Sequence, residues 1–197
     1  MIRNDMMSRV PEKSIAFLCI VLFLFFSSCA YLKKEPIRVE SKRTERDQTI
    51  NVAQKYLDEG DFQKALETYN VAYNKYPHEY ELRSNYIRII HYIKKNADIA
   101  FNREDFAQAG FIYRVLLNNY ADIKHLISSA SFDRDFLSNR VTTCSKTLNE
   151  KGLVNYREGN LEEAISIWGK ILEFDPKNED VKKSIATATT QLKTLQK

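Results

Sequence analysis

The chain has 197 residues, with 30 Lys and Arg against 26 Asp and Glu, 3 His and a formal net charge of +4 at neutral pH. So mild an excess argues against a nucleic-acid binder, which concentrates basic charge on one face. Tyr and Phe are abundant at 11 each, while Gly and Pro number 5 and 4, a balance that suits packed helices joined by short turns.

Met1 to Lys13 is polar and carries Arg3, Arg9 and Lys13; Ile15 to Phe26 is then an unbroken apolar run. The run has the length of a secretory h-region. Ser27, Ser28 and Cys29 follow. This order resembles a bacterial lipoprotein signal, which implies removal of residues 1–28 and lipidation of Cys29. Small residues before the cut let an extended backbone enter a peptidase, and the thiol can be alkylated by a lipid donor. Phe26 stands where such signals usually carry an aliphatic residue. The other reading is an uncleaved anchor: Ser14 to Leu32 bears no charge and is just long enough to cross a bilayer. Lys33 and Lys34 beyond it would be the wrong flank for an exported domain. Both readings put residues 35–197 outside the cytoplasm on a membrane; the remaining alternative is a fortuitous apolar segment of a cytoplasmic chain. Ala30, by resemblance to lipoproteins, points to the outer membrane facing the periplasm, with an inner-membrane signal anchor as the alternative.

Removal of residues 1–28 takes away three basic and two acidic residues and leaves a net charge of +3. Cys19 leaves with the signal and Cys29 is lipidated, so only Cys144 remains and no internal disulfide is possible. The exported domain must rely on its apolar core.

Residues 29–43 read as a flexible, extended tether, mixed in charge and broken by Pro36. The helical domain is expected over 44–197. Val52, Tyr56 and Leu57 share a helix face, and Gly60-Asp61 ends that helix and caps the next. Phe62, Ala65, Leu66, Tyr69 and Ala72 form the inner stripe of the second helix, which Pro77 stops. The same device recurs twice. Gly60-Asp61-Phe62 with Ala65 and Tyr69 is followed by Glu104-Asp105-Phe106 with Ala109 and Tyr113, then by Gly159-Asn160-Leu161 with Ala164 and Trp168. Ala gives a neighbouring helix room to approach, and the ring fills the volume between hairpins.

These motifs, with Gly152 and the closing Asp175-Pro176, resemble the tetratricopeptide repeat (TPR). Aligned to its 34-residue unit, the copies span about 46–79, 90–123 and 145–178, the second departing with Glu104 for the turn glycine and no closing proline. The copies are not contiguous, and the chain between them also reads as helix. Tyr80 to Arg103 places Tyr80, Ile87, Ile90, Ile93, Ala97 and Phe101 on or near one face. Phe132 to Arg157 does so with Leu137, Val141, Cys144 and Leu148. Lengthened first helices are therefore expected, joined by a connector over Ile123 to Ser131 with Ser131 as N-cap. A capping helix over 179–195 aligns Val181, Ile185, Ala188, Leu192 and Leu195. The expected fold class is all-α: about three irregularly spaced TPR-like hairpins and a terminal cap.

His78, His91 and His125 lie far apart, none at helical spacing from another His or Cys, so no metal and no cofactor are expected. Cys144 lies in an apolar stripe without a nearby His and reads as inert. Glu162 and Glu163 read as helix-start residues, with Glu163 closing a capping box on Asn160. No phosphate loop or nucleophile elbow is present, so no enzyme is expected.

What the resemblance implies is a groove lined by the first helix of each hairpin. Its unit positions carry over to Asp47, Ile50, Gln54, Leu57 and Asp58, to His91, Lys94, Asp98, Phe101 and Asn102, and to Lys146, Asn149, Leu153, Tyr156 and Arg157. Lys94, Phe101, Lys146, Tyr156 and Arg157 make it cationic and aromatic, suited to a peptide with an acidic group. The Lys-then-Asn clamp of chaperone-binding members is broken, because Asp98 follows Lys94. The expected role is a membrane-tethered scaffold for a protein or peptide partner in the envelope, as in outer-membrane, pilus or secretion assembly. A self-associating structural protein and a ligand-binding accessory module of a transporter or sensor remain as alternatives.

Overall fold

A computed structural model of the chain describes residues 35–127 and 132–196. Those residues form eight helices and no strand: α1 (Glu35–Asp58), α2 (Phe62–Lys75), α3 (Tyr80–Asn102), α4 (Phe106–Asn118), α5 (Tyr120–Ile123), α6 (Arg134–Arg157), α7 (Leu161–Phe174) and α8 (Glu179–Leu195). The protein is all-α. Among the described residues the chain divides after Asp47, and Gln48 onward forms a compact unit of its own. The fold below is that of this unit.

Three turns between helices are built alike. Gly60, Glu104 and Gly159 sit at positive φ of 75°, 59° and 85°. The next residue, Asp61, Asp105 or Asn160, returns its N–H to the carbonyl of Tyr56, Ala100 or Asn155 at 2.8–3.0 Å, while the left-handed residue returns its own to Leu57, Phe101 or Tyr156. This pair of bonds is the Schellman ending, which satisfies carbonyls that a helix end leaves open. The same residue then opens the following helix. Asp61 accepts from Lys64 N and Asp105 from Gln108 N, both at 3.1 Å. Asn160 holds the same backbone angles, but its side chain makes no cap bond and its amide donates to Glu158 at 3.4 Å. The expected capping box at Asn160 and Glu163 is thus not formed, because the Asn160 amide is turned back toward Glu158.

Each helix after such a turn presents the expected stripe to the core. Ala65, Ala109 and Ala164 are fully buried, and so are the rings of Tyr69, Tyr113 and Trp168 to within 1%. α2 packs on α3, α3 on α4, α4 on α6, α6 on α7 and α7 on α8, and α4 also meets α7. Two glycines make these seams tight. A Cβ added at Gly110 would lie 2.7 Å from the Phe174 ring, and one at Gly152 would overlap the Trp168 indole.

The exits from α2 and α7 match as well. Tyr76 and Asp175 both have φ −133°, each before a proline. α4 lacks that proline and leaves through Asn119, a buried polar side chain that donates to Gln63 Oε1 and Val115 O, each at 2.8 Å. α5 follows and buries Ile123.

Several sequence expectations shift. Residues 35–43, expected as part of an extended tether, are helical. Pro36 stands in the first turn, where its missing N–H costs nothing, and the Glu, Arg and Lys residues after it are good helix formers. Residues 1–34, and with them the signal, Cys29 and the start of the tether, lie outside the described residues. Val52 is exposed, and Ala53 with Leu57 forms the buried face of α1 instead. In α3 the buried line runs through Leu82, Tyr86, Ile89, Ile90, Ile93, Ala97 and Ala100. Tyr80 is 82% exposed because Leu82, two positions on and so on the opposite side of the first turn, is the residue that faces the core. In α8 only Val181 and Ala188 are buried, and Leu195 is exposed on the last turn. The N-cap of α6 is Asp133, which accepts from Phe136 N at 2.7 Å; Ser131 lies outside the described residues. The elongated first helices are as expected, at 23 and 24 residues, or about 35 Å each.

Two substitutions test this packing. Glu104→Gly removes a left-handed side chain costing about 1–2 kcal/mol, offset by glycine's larger unfolded-state entropy. Net stabilisation of roughly 0.5–1 kcal/mol is expected in urea melts. Gly152→Ala overpacks the Trp168 seam and is expected to cost about 2–3 kcal/mol by the same measurement.

Candidate functional site

Two polar features stand out against this frame. The first lies where α3, α4 and α6 meet. Asp98 of α3 accepts from the Tyr113 hydroxyl of α4 at 2.6 Å and from Lys94 Nζ at 2.7 Å. Lys94 also sits 5.1 Å from the Phe136 ring centroid, and the Arg140 guanidinium lies 4.2 Å from Phe101 and 5.2 Å from Phe136. Cations over ring faces are held by the ring quadrupole. Phe101 further meets Phe106 and Tyr113 edge-on at 5.4 and 6.3 Å. Burial first, then the bond to Asp98, pushes the Tyr113 phenol well up. Its proton therefore stays on oxygen and serves as a fixed donor.

The second feature is a cleft of about 320 Å³. One wall is the α6 face carrying Val141, Thr142, Ser145, Lys146 and Asn149; the other is the α7–α8 corner with Asp175, Asn178, Asp180 and Val181, and Arg114 reaches in from α4. Arg114 Nη2 donates to Asp175 Oδ1 at 3.2 Å, while its Nε is buried without a partner. Asn178 caps α8 by accepting from Val181 N at 3.2 Å, and its amide donates to Asp175 Oδ2 at 3.1 Å and Ser145 Oγ at 3.4 Å. The cleft therefore has an apolar floor of two valines and a rim that offers both charges, hydroxyls and amides. Such a lining can hydrogen-bond a polar stretch of chain.

The five residues expected to line one groove are not brought together. Lys94 and Phe101 are engaged within the chain by Asp98, Phe136 and Arg140. Lys146 stands at the cleft, 4.0 Å from Glu150. Tyr156 packs on Trp168, with ring centroids 5.9 Å apart. Arg157 is exposed at the end of α6. Of the other carried-over positions, Leu57 is core and His91 is exposed, while Asn149 lines the cleft. Sequence reasoning missed Arg114, Asp175, Asn178 and Asp180. One signal was available: Arg114 is the one charged residue in α4, and a lone cation on an otherwise uncharged helix needs a partner from elsewhere.

No three His, Cys, Asp or Glu side chains group as a metal site among the described residues. No described helix is long and apolar enough to cross a membrane. The sequence matches no family model, and no curated protein matches it significantly.

Cys144 is fully buried, and burial pushes its thiol from 9.0 up to about 11, as it pushes the Tyr69 phenol from 10.0 up to about 12. Both groups are neutral when protonated, so folding favours the bound proton. Their contribution is complete below pH 9 and is lost as pH rises toward 11 and 12. Stability by circular dichroism is expected to hold level to pH 9 and then fall, with the first part of the fall absent in Cys144→Ala. A thiol reagent at pH 8 is expected to label Cys144 only after unfolding.

Proposed function

We propose that this protein is a non-catalytic, TPR-like helical scaffold of the cell envelope, tethered through lipid on Cys29 and holding another envelope protein. The observation that carries this reading is the threefold recurrence of one device: left-handed turn, cap, buried Ala and buried ring. Hairpins built this way cannot bury their apolar faces alone and stack into arrays with long accessible flanks. The α6–α8 cleft supplies a polar seat for a segment of the partner. A tether confines scaffold and partner to one thin layer, so a modest affinity gives high occupancy by effective concentration. The elongated helices α3 and α6 depart from a regular repeat and leave two distinct faces in place of one continuous groove.

The seat is tested by placing a photoreactive residue at Thr142 or Asn149, with Glu67 on α2 as control, and irradiating the producing bacterium. One envelope protein is expected to crosslink at both cleft positions and not at Glu67, with weaker capture in Arg114→Ala. Only self-crosslinks, or none, would overturn the scaffold reading. For the tether, labelled palmitate is expected in wild type and not in Cys29→Ser; equal labelling of both excludes Cys29 as the anchor.

A further inference from the structure

From Leu82 to Ala97, α3 contains no acidic residue but four cations, Arg83, Arg88, Lys94 and Lys95. Lys94 is committed to Asp98 and Phe136. On the opposite edge of the helix, at 100° per residue, Arg88, Tyr92, Lys95, Ile99 and Arg103 fall in one line. All five are exposed, Tyr92 to 48% and Ile99 to 37%. Arg88 Nη2 donates to the neutral Asn85 Oδ1 at 2.6 Å. None of the three cations in this line forms an ion pair with a described residue.

We propose that this line is the docking face for an acidic amphipathic helix of a partner protein. Carboxylates seven to eight residues apart pair with Arg88, Lys95 and the C-cap residue Arg103, which span about 22 Å along the helix axis, and an apolar edge between them covers Tyr92 and Ile99. The proposal rests on the scaffold reading and names the partner's chemistry. Charge complementarity selects the occupant. A second copy of this face would set like charges against each other, which disfavours a symmetric dimer through it. An anionic membrane would gain about 1 kcal/mol per cation at most, and two half-exposed side chains make no apolar face wide enough to insert. A helix with facing carboxylates satisfies both the charges and the rings.

The test uses the full chain in mild detergent and a fluorescein-labelled synthetic helix with three heptad-spaced Glu and Leu between them. Its counterpart carries Lys for Glu, and vesicles of phosphatidylcholine with and without phosphatidylserine are run in parallel. Wild type is expected to bind the Glu helix, less tightly as salt rises. The Arg88→Glu/Lys95→Glu variant is expected to lose at least about tenfold in affinity and to gain binding to the Lys helix, a gain that only a folded face can give. Tyr92→Ser/Ile99→Ser is expected to weaken binding without changing its salt dependence. The proposal is overturned if wild type ignores the Glu helix at low salt, or if the charge-reversed variant binds it equally well. Preference for phosphatidylserine vesicles, lost in that variant, overturns it in favour of a membrane face. A partner captured at the cleft but bound undiminished by both variants leaves the scaffold standing and removes this face.

Discussion

A helix that ends and another that begins after only three intervening residues create opposite problems at the same place. The first leaves carbonyls without donors; the second leaves N–H groups without acceptors. One left-handed residue followed by a short polar one solves both. Asp61 and Asp105 send their backbone N–H back to the helix just finished and their carboxylate forward to the one just started. Antiparallel packing follows from that geometry, and it sets Ala65, Ala109 and Ala164 where a neighbouring helix approaches. The middle turn keeps the shape with Glu104 at φ 59°. The surrounding bonds therefore impose a backbone that the residue itself disfavours.

Packing between hairpins relies on a different economy of space. α7 contributes two large rings, and each needs a missing side chain opposite: Trp168 at Gly152 of α6 and Phe174 at Gly110 of α4. Changes on α7 are therefore coupled to changes on two other helices. Polar chemistry divides along the same lines. On one edge of α3 the charges are spent internally, on Asp98, Tyr113 and the rings of α6. On the other edge they are not.

Helical spacing in the sequence revealed the helices themselves, including both elongated ones, because the buried stripes of α2, α4, α6 and α7 are strongly periodic. Turn chemistry was legible for the same reason: Gly60 and Gly159 are rare residues at fixed offsets from buried rings. Stripe register was less clear. In α3, Ile87 and Ile89 both alternate plausibly with Ile90 and Ile93, and only tertiary contact decides that Ile89 is buried and Ile87 half-buried. Pro36 read as a break although a first-turn proline is compatible with a helix. The cleft was illegible because its walls come from α4, α6 and the α7–α8 corner, and Arg114 meets Asp175 across 61 positions. A unit-position scheme borrowed from regular repeats could not show that α6 brings Phe136 beside Lys94 and Arg140 over Phe101.

Trp168 is the one tryptophan in the chain. Its indole is almost wholly buried, and its Nε1 has no hydrogen-bond partner. The emission of this protein therefore reports a single seam, that between α6 and α7. Stacked hairpins have no obligation to melt together, since each touches only its neighbours. Fluorescence that reddens before or after the loss of helical ellipticity would reveal the order in which the stack comes apart, without any added label.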